Sequence, residues 1–234
     1  MYYNSSLSRL TNEQLIISGV YLGSKCSLVN VKLKAYLLGY RNRYHFLNIF
    51  YSYLQWKVVI KLLINLFASR QKILVIKDLD FYKLTLSLNC KNIFFYDKKW
   101  IGGNLTNFRR VRTCEKFLQE NLTYNSIGNL RFIPSLFFFF NTYISKWALW
   151  ESYNLEIPIA GVINSNSPFF EIINYPIVGN NDCFEALYLY INILKNAYIK
   201  GKQKEQLKIL ALKYYRYNRT QSFIYKKRKN NNSK

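Results

Sequence analysis

Short apolar runs alternate along this chain with longer stretches in which polar residues return every three or four positions. The run "RYHFLNIF" (43–50) reads as a strand. From Tyr51 to Ala68, Lys57, Lys61 and Asn65 recur at fourfold spacing among apolar neighbours, which predicts a helix buried over most of its circumference. "KILVIKD" (72–78) predicts a strand, residues 79–90 a weaker helix, and "NIFFYD" (92–97) another strand. A turn at "KKWIGGN" (98–104) leads to an amphipathic helix from about Asn107. Phe108, Val111, Leu118 and Leu122 mark its inner stripe, and Arg109, Arg112 and Lys116 share the outer one.

"SLFFFFN" (135–141) predicts a strand, 143–154 a helix, and "PIAGVIN" (158–164) a strand. A short extended piece, "INYPIVG", precedes a helix from Asp182, where Asp182 and Glu185 have the spacing of a capping box and Gly201 that of a helix stop. A basic helical stretch then reaches about Tyr217, before "NRTQSFIYKKRKNNNSK" reads as a flexible cationic tail. Alternating strands and helices with continuously apolar strands predict an α/β fold, a flavodoxin-like doubly wound parallel sheet of five strands covered on both faces. The expected division is an α/β domain over residues 1–201 and a basic C-terminal extension over residues 202–234.

Charge changes this picture most. The chain has 34 Lys and Arg against 12 acids, a net +22 over 234 residues. Such an excess implies a polyanionic partner, either nucleic acid or an anionic membrane surface. It is unevenly placed: residues 195–234 hold 13 basic residues and one acid, whereas residues 147–194 hold no Lys or Arg and five acids. The 21 Tyr and 17 Phe, with few Gly and Pro, have the bias of an AT-rich coding sequence and point to an organelle genome or an AT-rich organism. "MYYNSSLSRLTNEQL" has neither the apolar core of a secretion signal nor the Arg-rich character of a transit peptide, so synthesis where the protein is used is expected.

Candidate chemistry is sparse. Cys26, Cys90, Cys114 and Cys183 lack metal-binding spacing, and His45 is the sole histidine. The longest apolar stretch, "LFFFFNTYISKWALW", is interrupted by Asn141 and Lys146 and is too short to span a membrane. No glycine-rich phosphate loop follows any predicted strand, and Gly102–Gly103 reads as a turn. "NSNSP" (164–168) offers only small polar groups, and Asp78 and Asp97 have no nearby histidine. From the residues alone three readings stand: an RNA-binding structural protein, a nucleotide- or sugar-binding enzyme, and a peripheral membrane protein held by its tail.

Six segments, in order, resemble the universal ribosomal protein "S-two" family of the small subunit. They are "SGVYLGSK" (18–25), "GYRNRYHFLNI" (39–49), "WIGGNLTNF" (100–108), "IPSLFFFFN" (133–141), "IPIAGVINSNSP" (157–168) and "INYPIVGNND" (173–182). Tyr21 and Ser24 stand where the family has histidines, and Cys183 where it has a second aspartate. Between Leu122 and Phe132 there is no room for the family's long helical hairpin, so that insertion is expected to be reduced or absent. The resemblance implies a structural constituent of the small subunit, on its solvent side between head and body. It implies contacts to ribosomal RNA and neighbouring proteins, without catalysis, cofactor, small-molecule substrate or stable membrane insertion. With the composition, it looks like a mitochondrial member encoded in its organelle and working in the matrix, rather than a plastid one. The expected RNA-binding residues are Lys25, Arg41 and Arg43, then Lys98, Lys99, Arg109, Arg112 and Lys116, then Lys200, Lys202, Arg216, Arg219, Lys226, Lys227, Arg228 and Lys229.

Overall fold

A computed structural model describes residues 10–76, 90–96, 100, 102–107, 133–142 and 145–231, with the side chains of 216 and 219–231 outside that description. The central sheet is parallel and contains β4 (Ile73–Ile76), β5 (Ile93–Tyr96), β6 (Leu136–Phe139), β7 (Ile159–Ile163) and β8 (Tyr175–Val178). Its order is β5-β4-β6-β7-β8. The chain starts one strand in from an edge, steps out to that edge, then returns and winds the other way. This is the flavodoxin-like order, with its switch point between β4 and β6.

Two apolar layers explain why the strands lack polar alternation. Ile73, Val75, Leu136, Phe138 and Val162 face one cluster, with Trp56, Leu63, Phe67, Tyr190 and Leu194. Leu74, Ile76, Phe137, Phe139 and Ile163 face a second cluster, with Trp100, Ala148 and Leu149. The first layer belongs to α1 (Asn12–Ile17), α2 (Ile49–Ala68) and α4 (Phe184–Asn231); α3 (Lys146–Asn154) supplies the second. Phe137, Phe138 and Phe139 are fully buried. Each such side chain contributes roughly 1.5–3 kcal/mol through its burial.

The strand expected at 43–50 differs. Only Tyr44–Leu47 (β3) is extended, and it lies in a separate antiparallel sheet between β1 (Leu22–Lys25) and β2 (Leu37–Arg41). Asn48 ends the strand early, because its side chain accepts the Phe50 amide and starts α2. The fifth parallel strand is β8, from the piece expected only as a short extension. The helices expected at 79–90 and from Asn107 fall largely outside the described residues, as does the segment where the family's hairpin was expected to be reduced or absent.

Two expectations about α4 are corrected. Gly201 does not stop the helix, which continues to Asn231. No glycine or proline follows Gly201, and Lys, Gln, Leu and Ala dominate its next three turns. Nor do Asp182 and Glu185 form a capping box. Asn180 Oδ1 accepts the amides of Asp182 and Cys183, Asp182 accepts from Asn164, and Glu185 accepts from the Cys183 thiol.

Gly201 is instead where α4 touches α2. A Cβ there would lie 2.4 Å from Phe67 Cβ and 3.1 Å from the Ile64 carbonyl oxygen. Beside this contact Glu205, 8% exposed, accepts from Arg70 and from Lys202 at 2.8 Å, and both hold its carboxyl below the usual range. Gly201→Ala sets about 1 kcal/mol of gained helix propensity against roughly 1–3 kcal/mol of overpacking. The clash is with a side-chain stem and backbone that cannot rotate away, so thermal unfolding of the variant is expected at a lower temperature. An unchanged or higher midpoint would show that the helices separate at no cost.

Candidate nucleic-acid interface

In a doubly wound sheet ligands bind beyond the carboxyl ends of the strands. Here the chain itself occupies that ground. Leu33, 2% exposed, lies on the 3-10 turn Val31–Tyr36 and packs in one cluster with Ile76, Phe139 and Ile163, the last residues of three parallel strands. The "NSNSP" loop after β7 fastens this cover from below. Ser165 Oγ accepts the Ser24 amide at 2.8 Å, and the Ser165 carbonyl accepts the Asn30 amide at 2.9 Å. Asn30 Nδ2 donates to the Ser167 carbonyl at 2.8 Å.

Asn164, 1% exposed, organises the loop. Its Nδ2 donates to Asn181 Oδ1 at 2.9 Å and Asp182 Oδ2 at 3.0 Å, while its Oδ1 accepts the Ser165 amide at 2.7 Å. Desolvation raises the Asp182 carboxyl above its usual range, partly offset by the Asn164 bond. Asn180 completes the link. Its amide donates to the Val20 carbonyl at 3.1 Å, and its own carbonyl accepts the Tyr190 hydroxyl at 3.1 Å. The small polar residues that looked chemically idle are therefore the clasp between the two sheets.

A second clasp holds the turn after Trp100. Glu151, 7% exposed on α3, accepts the Trp100 indole N–H at 3.2 Å, the Leu105 amide at 2.9 Å and the Gly103 amide. Gly103 has φ +94°, which suits glycine and supports its reading as a turn. Nothing in the sequence marked Glu151 for this task; only the fold brings it to the turn.

Outside the clasp, the small sheet carries three of the expected cations. Lys25 on β1 and Arg41 on β2 both pair with Tyr44 on the central strand β3. Directly paired residues share a face of an antiparallel sheet, so the row reads cation, aromatic ring, cation. Phe46 lies on the same face, and a groove of about 720 Å³ opens there, its far wall including Asn166, Asn180 and Asp182. Lys25, Arg41 and Arg43 are exposed, and Tyr44 is 44% exposed. Asn42 and Arg43 form the β2–β3 turn at φ +50° and +67°, as a two-residue hairpin requires. A left-handed conformation costs an ordinary L-residue about 1–2 kcal/mol, so Arg43 is poorly suited to its position on conformational grounds. Tyr44 and Phe46 were not among the expected residues, because their alignment with Lys25 and Arg41 depends on strand register.

Lys200 and Lys202 lie on α4, far along the chain from this row, exposed and half-buried respectively. Lys226, Lys227, Arg228 and Lys229 follow on the same helix, as do Arg216 and Arg219, with side chains outside the description. Lys98, Lys99, Arg109, Arg112 and Lys116 fall outside the described residues. His45 is half-buried, edge-on to Tyr40 at 6.2 Å. Burial raises the thiols of Cys90 and Cys183 above their usual range, which disfavours the thiolate. Among the described residues no His, Cys, Asp and Glu group could hold a metal ion, and no helix is long and apolar enough to cross a membrane.

Among the described residues this is a strongly basic α/β body whose strand ends are covered by Leu33 and fastened to a small antiparallel sheet. A family model described as ribosomal protein S2 matches residues 15–125 and 115–201, and the chain belongs to that family. It is similar to the "Small ribosomal subunit protein uS2" of Buchnera aphidicola subsp. Cinara cedri (strain Cc), with 26% identity over 230 residues, 85% of this chain and 95% of the relative. Family membership makes this a structural, non-enzymatic protein of the small ribosomal subunit, acting in translation.

Replacing Asn164 by Ala leaves the Ser165 amide and two acceptors in a buried site. Each buried group left without its partner costs ~1–3 kcal/mol. Hydrogen exchange should then accelerate in residues 22–47 more than in the parallel strands, because the clasp fails before the core does. Equal acceleration in both sheets would show that the two unfold as one unit.

Proposed function

We propose that this chain is a ribosomal RNA-binding protein of the small subunit of a mitochondrial ribosome, gripping RNA through the Lys25–Tyr44–Arg41 row of its small sheet. The carrying observation is the alignment of Lys25, Tyr44 and Arg41 across three strands beside an open groove. Single-stranded RNA is held by this combination: an aromatic platform for an unstacked base and flanking cations for its phosphates. Arg43 at the tip adds a cation in a backbone position that favours Gly or Asn.

The remaining finer features rest on the same reading. Residues 202–234 act as a basic arm toward RNA or neighbouring proteins, supported by the net +12 that residues 195–234 carry. Arg109, Arg112 and Lys116, which lie outside the described residues, supply a further phosphate contact on the helix that the sequence pattern expects from about Asn107. The family's pattern is met in two pieces that run into each other at residues 115–125, which supports a reduced helical hairpin there. A mitochondrial setting is supported by the composition, rich in Tyr and Phe and poor in Gly and Pro. Recovery of the chain in small subunits from purified mitochondria is the expected result; recovery only with cytosolic or plastid subunits would reverse that assignment.

Binding to small-subunit RNA, measured across a salt series, tests the interface. Lys25→Gln with Arg41→Gln should lower the salt slope by roughly 0.7–0.9 for each phosphate contact removed. Tyr44→Ala should weaken binding by ~1–3 kcal/mol with an unaltered slope, the signature of stacking. Arg43→Gly should weaken binding without lowering the unfolding midpoint, since glycine accepts the turn conformation. An unaltered slope in the double variant removes the small sheet from the RNA interface.

A further inference from the structure

α2 and α4 run side by side in the same direction, and between them lies a second groove, of about 560 Å³. Its two walls carry polar residues at matching fourfold spacing. On α2 these are Lys57, Lys61 and Asn65; on α4 they are Asn196, Lys200 and Lys204. Lys204 Nζ donates to Asn65 Oδ1 at 2.7 Å, which fixes the pairing of the rows. The floor is apolar, with Ile60, Ile64, Ile193 and Ala197, and none of the described residues lining the groove is acidic. The sequence pattern on α2 had marked Lys57, Lys61 and Asn65 only as the wet edge of a buried helix.

We infer that this groove is the docking site for an acidic amphipathic helix of a neighbouring small-subunit protein. Two features select that occupant over RNA. An apolar floor offers nothing to a sugar–phosphate chain but takes the apolar stripe of a helix. The aromatic ring at the groove, Tyr53, already has the Lys57 ammonium 4.2 Å from its centroid, so that face is closed to a stacking base. The lysine spacing completes the match. Residues four apart on a helix are separated by about 6 Å along its axis. A partner helix laid along the groove therefore presents carboxylates at the same interval, with its apolar residues turned to Ile60 and Ile64. The like charges of Lys57, Lys61 and Lys204 around one concavity repel each other, and a partner that neutralises them is favoured in rate and in orientation.

The inference rests on assembly into the small subunit and is independent of the RNA-binding row, which lies on the three-stranded sheet. It is tested in intact small subunits by amine acetylation, carbodiimide coupling and ultraviolet cross-linking. Lys57, Lys61 and Lys204 should be acetylated in the free chain and protected in the subunit. Carbodiimide, which joins an ammonium only to a carboxylate in contact with it, should link Lys61 or Lys200 to Asp or Glu residues three or four apart in one neighbouring protein. Lys61→Glu with Lys200→Glu should lower retention of that neighbour about tenfold, and Lys61→Arg with Lys200→Arg should preserve it. Acetylation that persists in the subunit, RNA adducts at these lysines, or the absence of a carboxylate link would each overturn the inference. A loss of RNA binding by the small-sheet variants would leave it untouched.

Discussion

The amide of Asn164 has two donors and one carbonyl, and in this fold all of them are engaged at the buried end of β7. Its donors hold the segment that starts α4, and its carbonyl shapes the loop whose Ser165 receives the small sheet. Through one side chain, segments far apart in sequence share a hydrogen-bond network in a site with little water. Such networks are strong when complete and costly when broken, because the low dielectric that strengthens each bond also penalises each orphan. Gly23 shows how close the fit is: a Cβ there would lie 3.0 Å from both Ser165 Oγ and the His45 carbonyl oxygen. The small sheet can be a rigid platform because it is fastened at this point.

The same fastening answers what a doubly wound sheet is used for here. The fold creates a crevice beyond its strands, and enzymes line that crevice with phosphate loops and titratable groups. This chain covers the ends of β4, β6 and β7 with Leu33 and fastens that cover through Ser165 and Asn30, which tie an added antiparallel sheet to the body. Catalysis needs a cavity that substrates enter; a structural contact needs exposed groups on a stiff support. The stiffness comes from the clasp, and the exposure from strands whose outer residues are left uncovered.

Much of this was legible from pattern, and the failures have physical causes. The β4, β6 and β7 strands announced themselves because a parallel sheet covered on both faces leaves no polar alternation to confuse the reading. The strand at 44–47 was found but placed in the wrong sheet, since pairing direction depends on long-range register rather than on local composition. Gly201 misled for a related reason. Locally glycine marks a helix end, yet here its missing side chain is what lets α2 and α4 touch, a fact held by Phe67 at a distance in sequence. Asp182 had the spacing of a cap, but Asn164 and Asn180 compete for the same groups and prevail. The basic candidates at 25, 41 and 43 converge, whereas the rings that would complete an RNA platform, Tyr44 and Phe46, could not be ranked without the register.

Charge explains why the chain tolerates such an excess of cations. The described acids that matter structurally are spent inward: Glu151 on a turn, Glu205 at the helix crossing, Asp182 in the clasp. Each accepts hydrogen bonds that fix the fold, so few remain to neutralise the lysines and arginines spread over the outside. At physiological salt, exposed charges more than about 8 Å apart are largely screened, so the free domain need not unfold from its net +22. Crowding them into a subunit is different, because partners displace the screening ions and must supply the opposite charge themselves. On the proposed function phosphates would do that where rings stand beside the cations, as at Tyr44. On the further inference carboxylates would do it where the ground between the cations is aliphatic, as between α2 and α4. One basic surface can thus sort two kinds of partner by what lies between its charges.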